Sequence, residues 1–355
     1  MFVRNAWYVA GWSAEVGRDL LARTVCARPV VLYRTQDGSP VALADACWHR
    51  LVPLSLGQVR GDDLMCGYHG ITYSPQGRCT FMPSQETINP SASVASFPVV
   101  DRYRLCWVWL GDPELADPDR IPDILSPATD PGWAGDGELL HLECDYRLVL
   151  DNLMDLTHET YVHGTSIGQA SVAESPFTVE HTEDTVTVTR WMYGIDPPAA
   201  FLPELQMRFP GYDGSPVDRW QIIRWAAPST IVIDVGVALA GTGADRGDFR
   251  QAVRGKVINA ITPETDATTN YFWLRMRDHS LDEDEFTATH RAMVSSIFEE
   301  DRAMLNAQQI AIDAHPGYDF YNLNIDAGGL WVRRLIDRLA GHQSGQYSSA
   351  ATSSV

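Results

Sequence analysis

Asp155, His158 and His163 place one carboxylate and two imidazoles within nine residues of the segment D-N-L-M-D-L-T-H-E-T-Y-V-H-G, Asp151–Gly164. Two imidazoles and one carboxylate on one face of a metal form the ligand set that holds non-haem Fe(II) for dioxygen chemistry, with the remaining positions open. Asp155 and His158 are three apart and share a face if the segment is helical. The five-residue step from His158 to His163 does not suit a regular helix. It predicts a helix over 148–163 carrying a π-bulge or a loosened turn. The plain alternative is a surface helix with two ordinary histidines.

A second constellation lies about a hundred residues upstream. Cys47 and His49 form C-W-H, and Cys66 and His69 form C-G-Y-H, with sixteen residues between the two motifs. Each short motif supplies one thiolate and one imidazole. A Rieske [2Fe–2S] centre needs two Cys on one iron and two His on the other, so each motif serves both irons. Gly67 and Gly70 permit a tight loop and a close backbone approach to the cluster sulfurs. Cys₂His₂ also suits structural zinc, but zinc-finger spacing groups Cys with Cys and His with His. The mixed pairs favour the iron–sulfur reading.

A second carboxylate competes with Asp155 for the mononuclear iron. Over 282–314, Met293, Ile297, Met304, Leu305 and Gln308 recur at helical spacing. At 100° per residue Asp301 falls about 40° from Ile297, inside the apolar arc, with Glu300 at its margin and Glu299 opposite. A carboxylate on an apolar face costs several kcal/mol unless it is paired or metal-bound. Asp301 is therefore the candidate third ligand; the alternative is an ion pair with a core Arg.

The elements that must position these groups fall into two domains, in an α+β chain. Residues 1–115 read as short strands punctuated by glycine, an all-β domain holding the Cys/His pairs. Residues 116–137 are rich in Pro and acids and predict an extended connector. Residues 138–340 carry the histidine helix, alternating candidate strands at 177–180, 185–192, 220–225, 231–239, 257–262 and 271–276, and the long helix. The Ser/Ala/Gly-rich tail 341–355 is expected to be disordered. Cys26, Cys106 and Cys144 sit among apolar residues and read as core. His141, His181, His279, His290, His315 and His342 fit no motif and read as surface or capping residues.

The chain has 355 residues, 45% of them apolar, and a net charge of −19. That charge argues against nucleic acid and against anionic membranes. It also means that an anionic substrate needs a local cation or amide. No run of eighteen apolar residues occurs, and the N-terminus MFVRNAWYVAGW lacks a signal-like apolar core. A cytoplasmic protein that neither spans nor binds a membrane is expected.

The mixed Cys/His pairs followed by N-x-x-D-x-x-H-x-x-x-x-H resemble the large subunits of Rieske non-haem iron oxygenases. F-V-R-N-A-W-Y-V-A, the segment Cys144–His163, I-T-P-E-T (Ile261–Thr265) and L-N-I-D-A-G-G (Leu323–Gly329) resemble the vanillate O-demethylase oxygenase subunits within that family, with dicamba O-demethylase a more distant likeness. The likeness covers nearly the whole chain. Trp48 departs from the Pro that many relatives carry there, which implies an altered surface beside the cluster.

The resemblance implies a C-terminal helix-grip domain, an antiparallel sheet around the long helix. It implies His158, His163 and Asp301 as ligands of the mononuclear iron, and it reassigns Asp155 as a bridge to a cluster-ligating His, here His69, of a neighbouring subunit in a homotrimer. Asn152 is expected beside the iron, and Asn259, just before I-T-P-E-T, as a polar substrate contact. The implied activity is O-demethylation of a methoxybenzoate, first of all vanillate to protocatechuate and formaldehyde, with O2 as co-substrate. A reductase with flavin and a ferredoxin-type iron–sulfur centre would deliver electrons from NADH, since this chain has no G-x-G-x-x-G fingerprint. Veratrate, syringate, dicamba-like and toluenesulfonate substrates, or ring hydroxylation, are the alternatives within the family. A Rieske electron carrier and a helix-grip binding protein with a structural zinc are the alternatives outside it.

Overall fold

The computed structural model describes residues 2–164 and 166–350, with side chains as far as 341. The chain divides into two compact units. One is Met1–Ile121 with Thr262–Asp266; the other is Pro122–Ile261 with Ala267–Gly341.

The first unit is all-β. Ala6–Trp12, Leu105–Leu110 and Val99–Arg102 form one antiparallel sheet, and Leu21–Val25, Arg28–Arg34, Pro40–Ala44 and Ser96–Phe97 a second. Gln58–Arg60, Asp63–Met65, Thr72–Tyr73 and Cys79–Phe81 form a third. The core under the second and third sheets contains Val31, Tyr33, Leu43, Leu54, Leu64 and Tyr73, and Cys47 and Cys66 are buried in it. The I-T-P-E-T motif is tied into this unit: the Thr262 hydroxyl donates to the Val9 carbonyl, and the Cys26 N–H donates to the Pro263 carbonyl.

The second unit is built on a seven-stranded antiparallel sheet. Its order is Ala134–Leu142, Thr269–Arg277, Ala252–Pro263, Thr230–Leu239, Val217–Ala226, Thr185–Ile195, Phe177–His181. Thr185–Met192 alternates between half-buried and buried residues, as a strand with one face on the core should. Thr269–Arg277 is buried along its whole length. The long helix Asp284–Ala314 packs on it: the Phe298 ring lies 5.4 Å from that of Tyr271 and 5.2 Å from that of Trp273. Arg291 and Ser295 of the same helix reach Asp136 and Glu138 on the edge strand. This is the helix-grip arrangement of an α+β chain.

Four expectations are corrected. The connector 116–137 is not extended throughout: it holds short 3-10 turns as far as Ala128, and from Ala134 it is the edge strand. Pairing against Thr269–Arg277 overrides its glycines and acids, and Gly135 and Gly137 lie where an added Cβ would strike the partner backbone at 2.0 and 1.6 Å. The tail is helical to Ala350, continuing the helix that begins at Ala327; extension of a nucleated helix costs little. Residues 351–355 lie outside the described residues. His279 and His290 are buried rather than surface residues, because both pack around the buried Glu204. The helix expected over 148–163 is broken, and that break builds the site.

Candidate metal centres and substrate cavity

The broken helix starts conventionally. Asp145 caps it through the Arg147 N–H, and Leu148, Val149, Leu150, Leu153 and Met154 are buried along Tyr146–Met154. Asp155 then leaves helical space, with φ −130° and ψ 109°, and caps a new turn by accepting the Thr157 N–H at 3.0 Å. A 3-10 turn Leu156–His158 runs into the short helix Glu159–Val162, and His163 ends it. No π-bulge is needed. The change from one helical segment to another brings the two histidines together despite their spacing.

Their rings lie 5.4 Å apart at 72°. Among the described residues, His158, His163 and Asp301 form the one group of three or more candidate ligands whose atoms gather within 4.8 Å. Asp301 Oδ1 lies 3.5 Å from His158 Nε2 and 3.2 Å from His163 Nε2. Asp301 is 7% exposed, between Ile297 and Leu305 on the buried stripe of the long helix, as its angular position requires. Met304 is exposed, so the stripe runs through Val294, Ile297, Phe298, Asp301 and Leu305 instead.

Each imidazole is held through its other nitrogen. His158 Nδ1 donates to the Asp155 carbonyl at 2.7 Å, and His163 Nδ1 donates to Glu300 Oε2 at 2.6 Å. Both Nε2 atoms are thereby left to a metal, the tautomer arrangement usual for His ligands. Burial alone would push the His163 imidazole down, but Asp301 and Glu300 outweigh it and hold it up at about 9. The pocket between these carboxylates therefore stabilises positive charge, and a divalent iron meets the same field. Asn152 is where the sequence placed it: its Nδ2 donates to Asp301 Oδ1 at 3.2 Å and lies 3.5 Å from His158 Nε2. The Asp155 carboxylate faces away from this group, toward the Thr157 N–H and Arg190, which is 3.8 Å away.

The triad lines a largely apolar cavity. Leu153, Leu156, Ile167, Phe201, Ile233, Val257, Val294 and Phe298 make its apolar wall, and Glu159, Glu204, Arg219 and Arg275 its polar positions. Glu159 is buried and accepts from Arg219 and from Gln221, each at 2.9 Å. Asn259 does not fill the role expected of it. It is 0% exposed, its two amide protons go to the Ile231 and Val257 carbonyls, and its oxygen accepts from the Tyr271 hydroxyl at 2.6 Å. It locks three strands together and is not part of the cavity wall.

In the first unit, Cys47 and Cys66 are buried, while His49 and His69 are exposed with ring centroids 4.8 Å apart. The two motif loops are built alike: Cys47 N–H bonds the Val52 carbonyl, and Cys66 N–H the Ile71 carbonyl. Gly67 is necessary because a Cβ there would stand 2.5 Å from the Leu56 carbonyl oxygen. Burial raises the Cys66 thiol, and the Tyr68 and His69 backbone N–H groups oppose it. The Tyr73 hydroxyl lies 3.2 Å from Cys47 Sγ and accepts the Trp48 N–H at 3.1 Å. Thiols inside, imidazoles outside and N–H groups aimed at sulfur fit a Rieske cluster. Cys66 interacts with Cys47 and the His49 ring meets that of His69, the two-Cys, two-His division that a [2Fe–2S] centre uses. Trp48 is exposed beside them.

The comparisons with known proteins agree with this geometry. Residues 142–341 match the vanillate O-demethylase oxygenase C-terminal domain, and residues 6–98 match the Rieske [2Fe-2S] domain. The chain belongs to the Rieske non-haem iron oxygenases, in the vanillate O-demethylase oxygenase family. It is 44% identical to the vanillate O-demethylase oxygenase subunit of a Pseudomonas species, over 96% of this chain and 95% of that one. It is 39% identical to a putative toluene-4-sulfonate monooxygenase system iron-sulfur subunit of Comamonas testosteroni, over 97% and 99%. The crystal structure of dicamba monooxygenase with non-heme iron and dicamba matches with a TM-score of 0.82 at 32% identity, over 97% and 99%. This Rieske oxygenase thus uses a [2Fe–2S] cluster and a mononuclear iron. Among the described residues, no helix is long and apolar enough to cross a membrane.

Sequence reasoning missed several groups of this Rieske oxygenase. Glu300 stood at the margin of the helix stripe without a role, yet it orients His163. Arg275 left a usable signal: it follows Tyr271 and Trp273 at alternate positions, so it shares their face. Glu204, His279 and His290 left no such signal, since they come from three separate segments.

Proposed function

We propose that this chain is the oxygenase component of a monooxygenase that removes an O-methyl group from a methoxybenzoate, with vanillate the first candidate. The observation that carries the reading is the placement of a two-histidine, one-carboxylate group in the wall of a largely apolar cavity. His158, His163 and Asp301 would hold the mononuclear iron, and Cys47, His49, Cys66 and His69 the cluster. When bound, these groups supply single-electron delivery and dioxygen activation at a methyl C–H bond. The protein does the rest. Glu300 and the Asp155 carbonyl keep both imidazoles in the ligating tautomer. The apolar wall excludes water and packs the aromatic ring, so that the methoxy carbon alone faces the reactive side. Asn152 places an N–H beside Asp301, where it can hold a ligand carboxylate in one rotamer.

The balanced reaction consumes ArOCH₃, O2, NADH and H⁺ and yields ArOH, formaldehyde, water and NAD⁺. Hydroxylation of the methyl group gives a hemiacetal, which collapses to the phenol and formaldehyde; vanillate gives protocatechuate. NADH would be oxidised by a separate reductase carrying flavin and a ferredoxin-type iron–sulfur centre. Asp155 would bridge to His69 of the partner subunit in a cytoplasmic homotrimer, a head-to-tail ring closed by cyclic symmetry.

The test is a substrate screen with the reductase present, scored by formaldehyde and NADH consumption. One formaldehyde per NADH from vanillate is the expected result. A sulfonated toluene is the second candidate, supported by the 39% identity to the toluenesulfonate protein; it would give a benzylic alcohol and no formaldehyde.

A further inference from the structure

Arg275 is 7% exposed and lines the cavity that the metal triad opens on. Its neighbours two and four residues back, Trp273 and Tyr271, touch Phe298 of the long helix, so the alternation of the strand turns Arg275 to the same face. Its one hydrogen bond is to the Met276 carbonyl at 2.9 Å, and among the described residues no carboxylate oxygen comes within 4.0 Å of its guanidinium. The contrast with Arg219 in the same wall is direct, because Arg219 is paired with Glu159 at 2.9 Å. A buried cation without a contact counter-ion is costly, and Glu204, Asp234 and Asp278 offset that cost only from beyond contact distance, which leaves its hydrogen-bonding edge to a ligand. Room is made for it deliberately. A Cβ on Gly255, in the neighbouring strand, would stand 1.4 Å from Arg275 Nη1, so any other residue there would displace the guanidinium.

Its place along the cavity suits a ring substrate. Asp301 and the cavity-lining Val294 are seven residues apart on one helix, an axial distance of about 10 Å. Arg275 and the triad line the same cavity, so a methoxyarene with its methyl group at the triad has Arg275 among the walls around its ring.

We infer that Arg275 is the receptor for the carboxylate of the substrate, with Gly255 as the residue that seats it, which restricts the enzyme to aromatic acids in their anionic form. This rests on the demethylase reading above. It also answers how a chain of net charge −19 holds an anion: the needed cation is buried, where the surface charge is remote and the local dielectric low.

Calorimetric titration of the cluster- and iron-loaded protein with vanillate and with its neutral counterpart vanillyl alcohol tests the inference without turnover. Wild type should bind vanillate more tightly. Arg275→Met should weaken vanillate roughly 10- to 100-fold, the range for loss of a charge-assisted hydrogen bond, and change the alcohol less than about 3-fold. Gly255→Ala should weaken vanillate in the same direction, and Arg275→Lys should restore part of it. Equal loss for acid and alcohol, or undiminished vanillate binding in Arg275→Met, overturns the assignment. If wild type ignores vanillate but binds toluene-4-sulfonate in an Arg275-dependent way, the anion receptor stands and the methoxybenzoate reading falls.

Discussion

Glu300 Oε2 lies 2.6 Å from His163 Nδ1, while the opposite ring nitrogen of the same histidine faces Asp301 Oδ1 at 3.2 Å. Two consecutive carboxylates of one helix thus act on the two ends of one imidazole. Asp301 would share the proposed metal position, and Glu300 fixes the ring that points toward it. Partners of this kind usually contribute about 10- to 100-fold in metal affinity. Glu300→Gln should therefore lose iron to a chelator about that much faster than wild type, with the cluster absorbance unchanged. Wild-type iron retention would assign Glu300 to the surface.

Asp301 and Asp155 separate cleanly by substitution. Asp301→Ala should abolish mononuclear iron and turnover and leave the cluster spectrum intact. Asp155→Asn should keep both metal centres and fail in electron delivery between subunits, seen as slow oxidation of the reduced cluster in single-turnover mixing. If Asp301→Ala retained full iron and Asp155→Asn lost it, the ligand assignment would be reversed.

The purified protein should be red-brown, with a Rieske-type EPR signal on reduction. Cys66→Ser should remove colour and signal together. Stoichiometric zinc without acid-labile sulfide is the outcome incompatible with a cluster at these four residues.

Acid sensitivity should trace to the buried group around Glu204. Burial pulls His290 down to about 4, against the attraction of Glu204 and with repulsion from Arg275, Arg277 and His279. A histidine depressed in the folded state contributes stability that is complete above its ordinary 6.5 and is lost as pH falls toward 4. The shift corresponds to roughly 3 kcal/mol. His279 is raised by Asp278 and Glu204 against its own burial, so its contribution has the opposite sign and fades as pH rises through its folded value. His290→Gln should consequently flatten the fall in thermal midpoint between pH 6.5 and 4.5. An unchanged acid limb in that variant would contradict the burial of a neutral His290.

Guaiacol lacks the carboxylate of vanillate and should be turned over poorly, because a site built for a charged group is left unpaired by an analogue without it. Formaldehyde release from guaiacol equal to that from vanillate would remove the anion from the recognition scheme. A ring-hydroxylated vanillate with its methoxy group intact would remove the demethylation.

The sequence alone determined which candidate ligands are present and their local spacing: Cys47, His49, Cys66 and His69 in mixed pairs, His158 and His163 in one segment, and Asp301 on the apolar stripe of a long helix. It also determined the α+β class, since alternation and helical periodicity are properties of neighbouring residues. What it left open depended on contacts between distant segments. Asp155 is nearer in sequence to both histidines than Asp301 is, yet the chain breaks at Asp155 and turns its carboxylate away, so the nearer carboxylate is not the one that gathers with the histidines. Asn259 read as a polar substrate contact, but three strands converge on it and use up its amide. Glu300 reached His163, and Arg275 was left without a carboxylate in contact, only after helix and sheet had packed. Burial and pairing are set by the whole fold, and they turn a residue of the right type into a ligand, a lock or a receptor.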